Sequence, residues 1–362
     1  MRADFPSLLP LICPVCRRVT EHGRELYTLS LLLISKESPP LDPSSGHAAT
    51  EHQEVEEGIL QCDNPACGQR YPIVGGIPVV VPQAATVVQN QAAALLSELS
   101  PQLLVLLAEP GPDDSPLGQQ LQHLSIYLDA HYGDRTTPPA DGPGAGWGLA
   151  ALTQLVAQRS KEPVARAIEL GCSVGRLVGE LAVGAQLTVG VDLNLAALLK
   201  ARRVLRGQSV PYLRRGIGRH YQPVQLASAP ARSEVALLCG DALDPPLVPH
   251  EFERVLAVNL LDSVRVPLGL LSVMDGLCSP GGELILGSPY AWQSGIVDEE
   301  ARLGGAAPED YLRQLLTQGT GLEARYALEA DTELSWHLRR DARSAQSYAV
   351  HVLRARKLAP ST

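Results

Sequence analysis

The chain lacks an apolar run of membrane-spanning length, which would take about 20 residues. Its longest candidate near the N-terminus, Leu26 to Ile34, is interrupted by Thr28 and Ser30 and reads as a strand. An export signal is also missing: Met1-Arg2-Ala3-Asp4 leads into no apolar segment and no small-residue cleavage site, so a cytoplasmic location is expected. Positive charge is in deficit. The 30 Lys and Arg residues against 39 Asp and Glu leave a net charge of −9, which argues against a protein that coats nucleic acid along its whole surface. No internal repeat is present. What remains is ordinary globular composition, 45% hydrophobic and 19% charged, so neither wholesale disorder nor a membrane protein is indicated. A length of 362 residues suits about two domains.

One segment departs from the acidic balance. From Lys200 to Arg232 the chain carries Lys200, Arg202, Arg203, Arg206, Arg214, Arg215, Arg219 and Arg232 with no acidic residue among them. The plain expectation is a solvated helix and loop, and the alternative is a contact with an anionic substrate or RNA.

The seven cysteines are an odd number, and without an export signal that favours metal binding over disulfides. Four fall into two pairs, Cys13-Pro14-Val15-Cys16 and Cys62-Asp63-Asn64-Pro65-Ala66-Cys67, each able to present two thiolates from a tight turn. Together they make a tetrahedral sulfur set. A closed set with no open coordination position predicts structural Zn²⁺, which a unit this small needs because its core alone is marginal. Reduced free thiols, or His22 in place of one ligand, are the alternatives. The unit, residues 1–84, contains short β-like runs at Leu26–Ile34, Gly58–Gln61, Tyr71–Val74 and Ile77–Val81. Residues 36–57 hold too little apolar content to pack and are expected to form a flexible excursion, with His47 and His52 solvated.

Residues 85–148 read as a helical section, with apolar spacing in Gln91–Glu109 and Leu117–His131, followed by a Gly/Pro-rich loop or lid over Gly133–Gly148. Residues 149–362 alternate strand-like and helix-like runs, the pattern of a parallel sheet covered by helices. Strands are predicted at Ala165–Leu170, Leu187–Val191, Val235–Cys239, Arg254–Asn259 and Glu283–Gly287. The helices between them are Gly175–Val183, Leu195–Leu205 and Pro267–Leu277. A helix over Tyr311–Gln318 and strands over Leu322–Leu328 and Gln346–Arg356 complete the reading.

The chemistry sits at strand ends. Glu169-Leu170-Gly171-Cys172-Ser173-Val174-Gly175 places a carboxylate and glycines where a buried strand meets a helix, so backbone can approach a ligand and helix N–H groups can meet an anion. The next strand ends in Asp192, suited to two ribose hydroxyls; that feature alone would also fit a dinucleotide site. Two observations discriminate. The Gly-x-Gly-x-x-Gly fingerprint is absent, and Cys239-Gly240-Asp241-Ala242 follows the third strand, where an adenine amino group would bind. The fourth strand runs into Asn259-Leu260-Leu261-Asp262, and Ser279-Pro280-Gly281-Gly282-Glu283 turns into the fifth.

In that order these elements resemble the class I S-adenosylmethionine-dependent methyltransferase family over Val164 to Gly287. The resemblance implies a Rossmann-like α/β sheet, S-adenosylmethionine as cofactor, and cofactor binding by Glu169, Gly171, Cys172, Gly175, Asp192, Asp241, Ala242 and Asn259. Leu11 to Pro82, through its Cys pairs and Tyr71-Pro72-Ile73-Val74-Gly75-Gly76-Ile77-Pro78-Val79, resembles the Trm112-like zinc-binding family, whose members act as partners or fused accessory domains of methyltransferases. A narrower likeness lies outside the shared core. Tyr127-Leu128-Asp129-Ala130-His131-Tyr132-Gly133, Asn259-Leu260-Leu261, Gly287-Ser288-Pro289-Tyr290-Ala291-Trp292 and Leu338 to Val352 are similar to the methyltransferase domain of ovothiol biosynthesis. This sequence lacks the iron-dependent sulfoxide synthase part of those enzymes. The likeness implies a small acceptor, an imidazole or thiol-histidine nitrogen, held by His131, Tyr132, Tyr290 and Trp292, with Asp262 a weaker candidate base. His337, Arg339 and Arg340 are expected at the surface. An RNA or protein acceptor using the Arg-rich segment, and a non-catalytic partner that kept the fold, are the competing classes; the oligomeric state is not legible.

Overall fold

The computed structural model describes residues 1–2, 4–20, 23–33, 54–108, 111–143 and 149–359. Most of the proposed excursion, with His47 and His52, lies outside the described residues, as do the alternative ligand His22 and the end of the Gly/Pro-rich stretch.

A seven-stranded mixed sheet organises the fold. Its strands in chain order are β1 Val164–Leu170, β2 Ala185–Asp192, β3 Val235–Cys239, β4 Phe252–Val258, β5 Cys278–Ser288, β6 Tyr326–Arg339 and β7 Ala345–Lys357. In space they run β3-β2-β1-β4-β5-β7-β6. The first five are parallel, and β7 lies antiparallel to both β5 and β6. Helices Arg176–Leu181, Leu195–Leu205 and Pro267–Leu277 make crossovers that cover both faces, so β1, β2, β4 and β5 end in unbroken buried runs such as Ala167-Ile168-Glu169-Leu170 in β1 apart from its charged start. This is the α/β Rossmann-like sheet expected from the alternation of elements. The order reverses beside β1: the chain leaves it toward β2 and β3, then returns to β4 on its other side. Ligands of open α/β sheets bind at the carboxyl ends of strands at such a switch point.

The N-terminal unit closes one edge of this sheet. Its four-stranded antiparallel sheet, Leu29–Leu33, Gly58–Cys62, Arg70–Val74 and Ile77–Pro78, continues into a parallel bridge between Val79 and Cys239 of β3. Val80 N–H donates to the Cys239 carbonyl at 2.9 Å, and Ile12 N–H to the Pro246 carbonyl at 2.9 Å. An otherwise open strand edge is thereby paired. One cluster of buried apolar side chains runs from Leu9, Leu11 and Ile77 into Leu238 and Val191, so the unit shares its core with the large sheet.

Several expectations need correction. The Arg-rich segment is largely folded and paired, with Arg219 alone of its named charges exposed. After helix Leu195–Leu205 it forms a hairpin, Val210–Arg215 with Tyr221–Leu226, whose second strand pairs with Thr136–Thr137 inside the stretch expected to be a loop. Most of its charges are taken up internally, while Arg219 and Arg232 donate to the carbonyls of Gly111 and Gly179. Arg214 is 0% exposed against Asp129, Arg202 and Arg206 pair with Glu54 and Glu56, Lys200 and Arg203 with Glu98, and Arg215 with Asp113. The same pairs contradict a flexible excursion at its C-terminal end, where Val55 is also buried. Arg339, expected at the surface, is buried: its guanidinium donates to the Asp141 and Arg215 carbonyls at 3.2 and 3.1 Å. The helical run over Gln91–Glu109 is broken into Ala92–Leu96 and Pro101–Ala108 by Pro101, with Glu109 outside the described residues, and the strand expected from Leu322 begins at Tyr326.

Candidate functional site

A cavity of about 300 Å³ opens at the carboxyl ends of β1, β2 and β4, where the strand order reverses. Glu169 and Gly171 reach it from β1, Ser173 from the following loop, Asp192 from β2, and Asn259 and Leu260 from the end of β4. Gly171 has φ of +75°, and a Cβ there would come within 2.9 Å of Leu260, so backbone stands where a side chain could not. Ser173, Asn259 and Tyr290 are three of the five non-glycine residues with positive φ among the described residues, and they sit in the loops leaving β1, β4 and β5. Strain of that kind persists where surrounding contacts over-determine it.

The carboxylates differ in their attachment. Asp192 accepts the Ser173 N–H on Oδ2 and the Asn194 N–H on Oδ1, each at 2.8 Å, which aims the group and leaves further lone pairs. Burial nevertheless pushes its pKa up, against the hydrogen bonds from Asn194, Ser173 and Leu193. Glu169 lies one strand inward. Burial raises it well above the carboxylate range, the Val178 N–H opposes this and Asp192 adds to it, and its Oε2 has no protein partner. Ser173 Oγ and Asn259 Oδ1 are buried without partners as well. Orphaned buried polar atoms are rare, and their convergence on one cavity is the signature of a ligand site.

The opposite wall is helix Pro116–Tyr132, capped by Ser115 Oγ accepting the Gly118 N–H at 3.1 Å. His123, Tyr127 and His131 recur every four residues and so share one face, with ring centroids 4.3 and 6.0 Å apart. All three line the cavity, with Trp336 of β6. His131 thus reaches the cavity. Tyr132 does not: it is buried, its hydroxyl donates to the Val174 carbonyl at 2.9 Å, and its ring lies between the Arg135 and Arg176 guanidinium groups. It braces the glycine loop from behind. Tyr290 and Trp292 also lie off the cavity. The Tyr290 hydroxyl meets His351 Nδ1 at 2.6 Å, and His351 Nε2 meets Asp331 at 3.1 Å. The neighbouring Gln293 lines the cavity instead. Among the cofactor candidates, Cys172 packs beneath the loop and Gly175, with φ of +79°, is the N-cap of Arg176–Leu181. Asp241 and Ala242 follow β3, one strand outward, where Asp241 Oδ1 accepts the Leu243 N–H at 2.9 Å.

Burial holds both helix histidines neutral. It lowers His123 to about 4, and with Arg176 and His123 adding to it lowers His131 to about 3. The unfolded chain takes up these protons near pH 6.5, so each group's contribution to stability is complete above about pH 6.5 and is lost as pH falls toward its folded value. At pH 5 that is roughly 2 kcal/mol per histidine. Buried Glu169, Asp192 and Asp262, whose pKa values are raised, act in the opposite sense, so the effect is read as a difference. Urea unfolding of the protein and of His131→Gln at pH 7 and pH 5 should show a smaller acid-induced change in the variant. An identical pH dependence would show that His131 is not buried neutral.

A second cavity, about 220 Å³, lies between the N-terminal unit and the sheet. It touches Leu187 near the start of β2 and Val235 at the start of β3, the end of the strands opposite to the switch point. The four paired cysteines meet elsewhere in this unit, beside Arg17, which pairs with Asp244 after β3. Their sulfurs all lie within 4.8 Å of one another, Cys13 to Cys67 at 3.8 Å and Cys16 to Cys62 at 3.4 Å. A tetrahedral ion with metal–sulfur bonds near 2.3 Å requires edges of about 3.8 Å. The set fits zinc. Among the described residues no other group of three or more His, Cys, Asp or Glu is so gathered.

No protein-family profile matches the sequence, and no curated protein does. Solved structures resemble it at a distance. An N-methyltransferase from Bradyrhizobium japonicum in complex with S-adenosylhomocysteine is 14% identical, covering 61% of this chain and 90% of its own at a TM-score of 0.39. A magnesium protoporphyrin IX methyltransferase from Synechocystis with bound S-adenosylmethionine is 14% identical over 57% of this chain and 77% of its own, TM-score 0.36. A 16S rRNA adenine methyltransferase variant from Catenulisporales acidiphilia is 16% identical over 58% and 93%, TM-score 0.36. Likeness this distant says nothing of substrate; the fold assignment rests on strand order and direction.

Proposed function

We propose that the protein is an S-adenosylmethionine-dependent methyltransferase that acts on a nitrogen of a small molecule, such as an imidazole or thiol-histidine. One observation carries the reading: Glu169, Gly171, Ser173, Asp192 and Asn259 converge on a cavity at the sheet's switch point with buried polar atoms that no protein group satisfies. Those atoms fit the cofactor. Asp192, aimed by two backbone N–H groups, would hold the ribose hydroxyls; Glu169 Oε2 and Ser173 Oγ would meet the charged methionine end; Gly171 would let backbone approach it. When bound, S-adenosylmethionine supplies a methyl group on a positively charged sulfur, and transfer is an in-line displacement. The protein's part is mainly positioning, which can be worth about 7–11 kcal/mol. His131, neutral and buried, orients an acceptor by hydrogen bonding. An azole acceptor with pKa near 6.5 is largely neutral at pH 7 and needs no strong base. The Cys13/Cys16/Cys62/Cys67 set holds structural zinc, because four thiolates leave no open position.

The cofactor assignment is tested by calorimetry with S-adenosylhomocysteine. Asp192→Ala should weaken binding by about 1–3 kcal/mol, roughly 5- to 150-fold, because the ribose hydroxyls lose their acceptor. Unchanged affinity would remove Asp192 from the site. Binding of NADH in place of S-adenosylhomocysteine would reject the methyltransferase reading. Methylation of bulk RNA or protein, with no turnover of small nitrogen nucleophiles, would move the proposal to a macromolecular acceptor.

A further inference from the structure

We propose that the wall of the cavity facing the glycine loop is an acceptor subsite selective for nitrogen compounds bearing a cationic or N–H-donating group, read by His123, Tyr127, His131, Trp336 and Asp262. The proposal rests on the methyltransferase reading and adds to it the charge class of the acceptor.

His123 Nε2, His131 Nδ1, Trp336 Nε1 and Asp262 Oδ1 are all buried without a protein partner. Leaving such an atom unsatisfied costs about 1–3 kcal/mol. Three of these residues, His123, His131 and Trp336, line the cavity, and Asp262 lies behind it next to the lining Ser263; beyond the atoms assigned to the cofactor they call for a second polar ligand, one whose ring nitrogen accepts from the Trp336 N–H and whose own N–H or cationic group meets the acceptors. Asp262 is already aimed: its Oδ2 accepts the Ala291 N–H at 3.0 Å and its carbonyl the Gln293 N–H at 3.1 Å, which leaves Oδ1 free of protein donors.

Among the described residues no Lys or Arg side chain lines the cavity, whereas Glu169 and Asp192 do. Asp262 does not line the cavity itself but adjoins it through its neighbour Ser263 and through its carbonyl, which accepts the N–H of the lining Gln293. The imidazoles are neutral and add no positive charge. A polyanion entering this space would find no cationic side chain in its lining and the Asp192 carboxylate nearby, while an ammonium or azole N–H would meet acceptors and aromatic faces. The cavity is also small: about 300 Å³ must serve cofactor and acceptor together, the lower limit of small-molecule sites.

The test uses two probes with the same ring and opposite charge, histamine and imidazole-4-acetate, titrated calorimetrically into the S-adenosylhomocysteine complex. Histamine should bind at least ~10-fold more tightly, the effect of one partly screened carboxylate. Asp262→Asn should shrink that preference several-fold and Trp336→Phe should weaken both probes, with S-adenosylhomocysteine affinity unchanged in both variants. Equal or tighter binding of the acetate, binding of neither probe, or a preference unaltered in Asp262→Asn would overturn the subsite while leaving the cofactor reading intact. Failure of the protein to bind S-adenosylhomocysteine at all would overturn both.

Discussion

Stripping metal from the Cys13/Cys16/Cys62/Cys67 set with a strong chelator is expected to unfold the N-terminal unit and to destabilise the whole chain. Structural zinc contributes apparent folding free energies of about 10–16 kcal/mol in isolated zinc-finger peptides, and the unit here has few alternative supports. Its sheet strands are two to five residues long, and its buried apolar side chains depend on continuity with β3. Burial drives the Cys16 thiol above its ordinary pKa against a hydrogen bond with Cys62; a divalent ion would supply the further compensation a thiolate needs. Because Val79 and Val80 complete the β3 edge, the loss should reach the large sheet and lower S-adenosylhomocysteine affinity too. Elemental analysis should find one zinc per chain, and a thermal melt should move down sharply with chelator or in Cys62→Ser. A metal-free protein with an unchanged melt, or a disulfide within either pair, would remove the site.

Asp129→Ala should cost about 3–5 kcal/mol, because it strands a buried guanidinium. Asp129 accepts from Arg214 Nε at 2.9 Å and Nη2 at 2.8 Å, from the Tyr212 hydroxyl, and lies 3.5 Å from Arg339 Nη1. Arg214 and Asp129 are 0% and 2% exposed in their side chains, so solvent screens little of the pair. The pair joins helix Pro116–Tyr132 to the hairpin and fixes the helix's rotation, which sets His123, Tyr127 and His131 toward the cavity. Urea unfolding should therefore show a large stability loss, accompanied by weaker acceptor binding. The double variant Asp129→Leu/Arg214→Met should recover much of the stability, since it removes both charges. A single-variant loss below about 1 kcal/mol would place the pair in the class of surface ion pairs.

The strand-end wall of the cavity was legible because its residues answer to local geometry. A buried parallel strand is an unbroken apolar run, so Glu169, Gly171 and Asp192 announce themselves where polarity and glycine interrupt such a run. Helices Leu195–Leu205 and Pro267–Leu277 were legible to the residue, from apolar spacing and, in the second, Pro267 at its first position. The hairpin over Val210–Leu226 was not. Pro211, Arg214, Arg215 and Pro223 give it no strand-like character, and its arginines are paired by Asp129 of helix Pro116–Tyr132 and Asp113 of the turn before that helix. His123 and Tyr127 could have been found from their four-residue spacing to His131 on a helix that was itself expected. Trp336 carried no such signal, lying more than 200 residues away in a strand that alternates exposed and buried positions.

By itself the sequence determined the order of strands and helices, the glycine and carboxylate positions at the strand ends, and the four-cysteine set, all of which follow from hydrophobic period, backbone freedom and ligand spacing. Only the tertiary structure decided which aromatics face the cavity, that Tyr132 and Tyr290 turn elsewhere, and that a stretch rich in arginine is largely neutralised internally. Side-chain partners drawn from distant segments depend on how helices rotate and strands register against each other, and no local pattern encodes that choice.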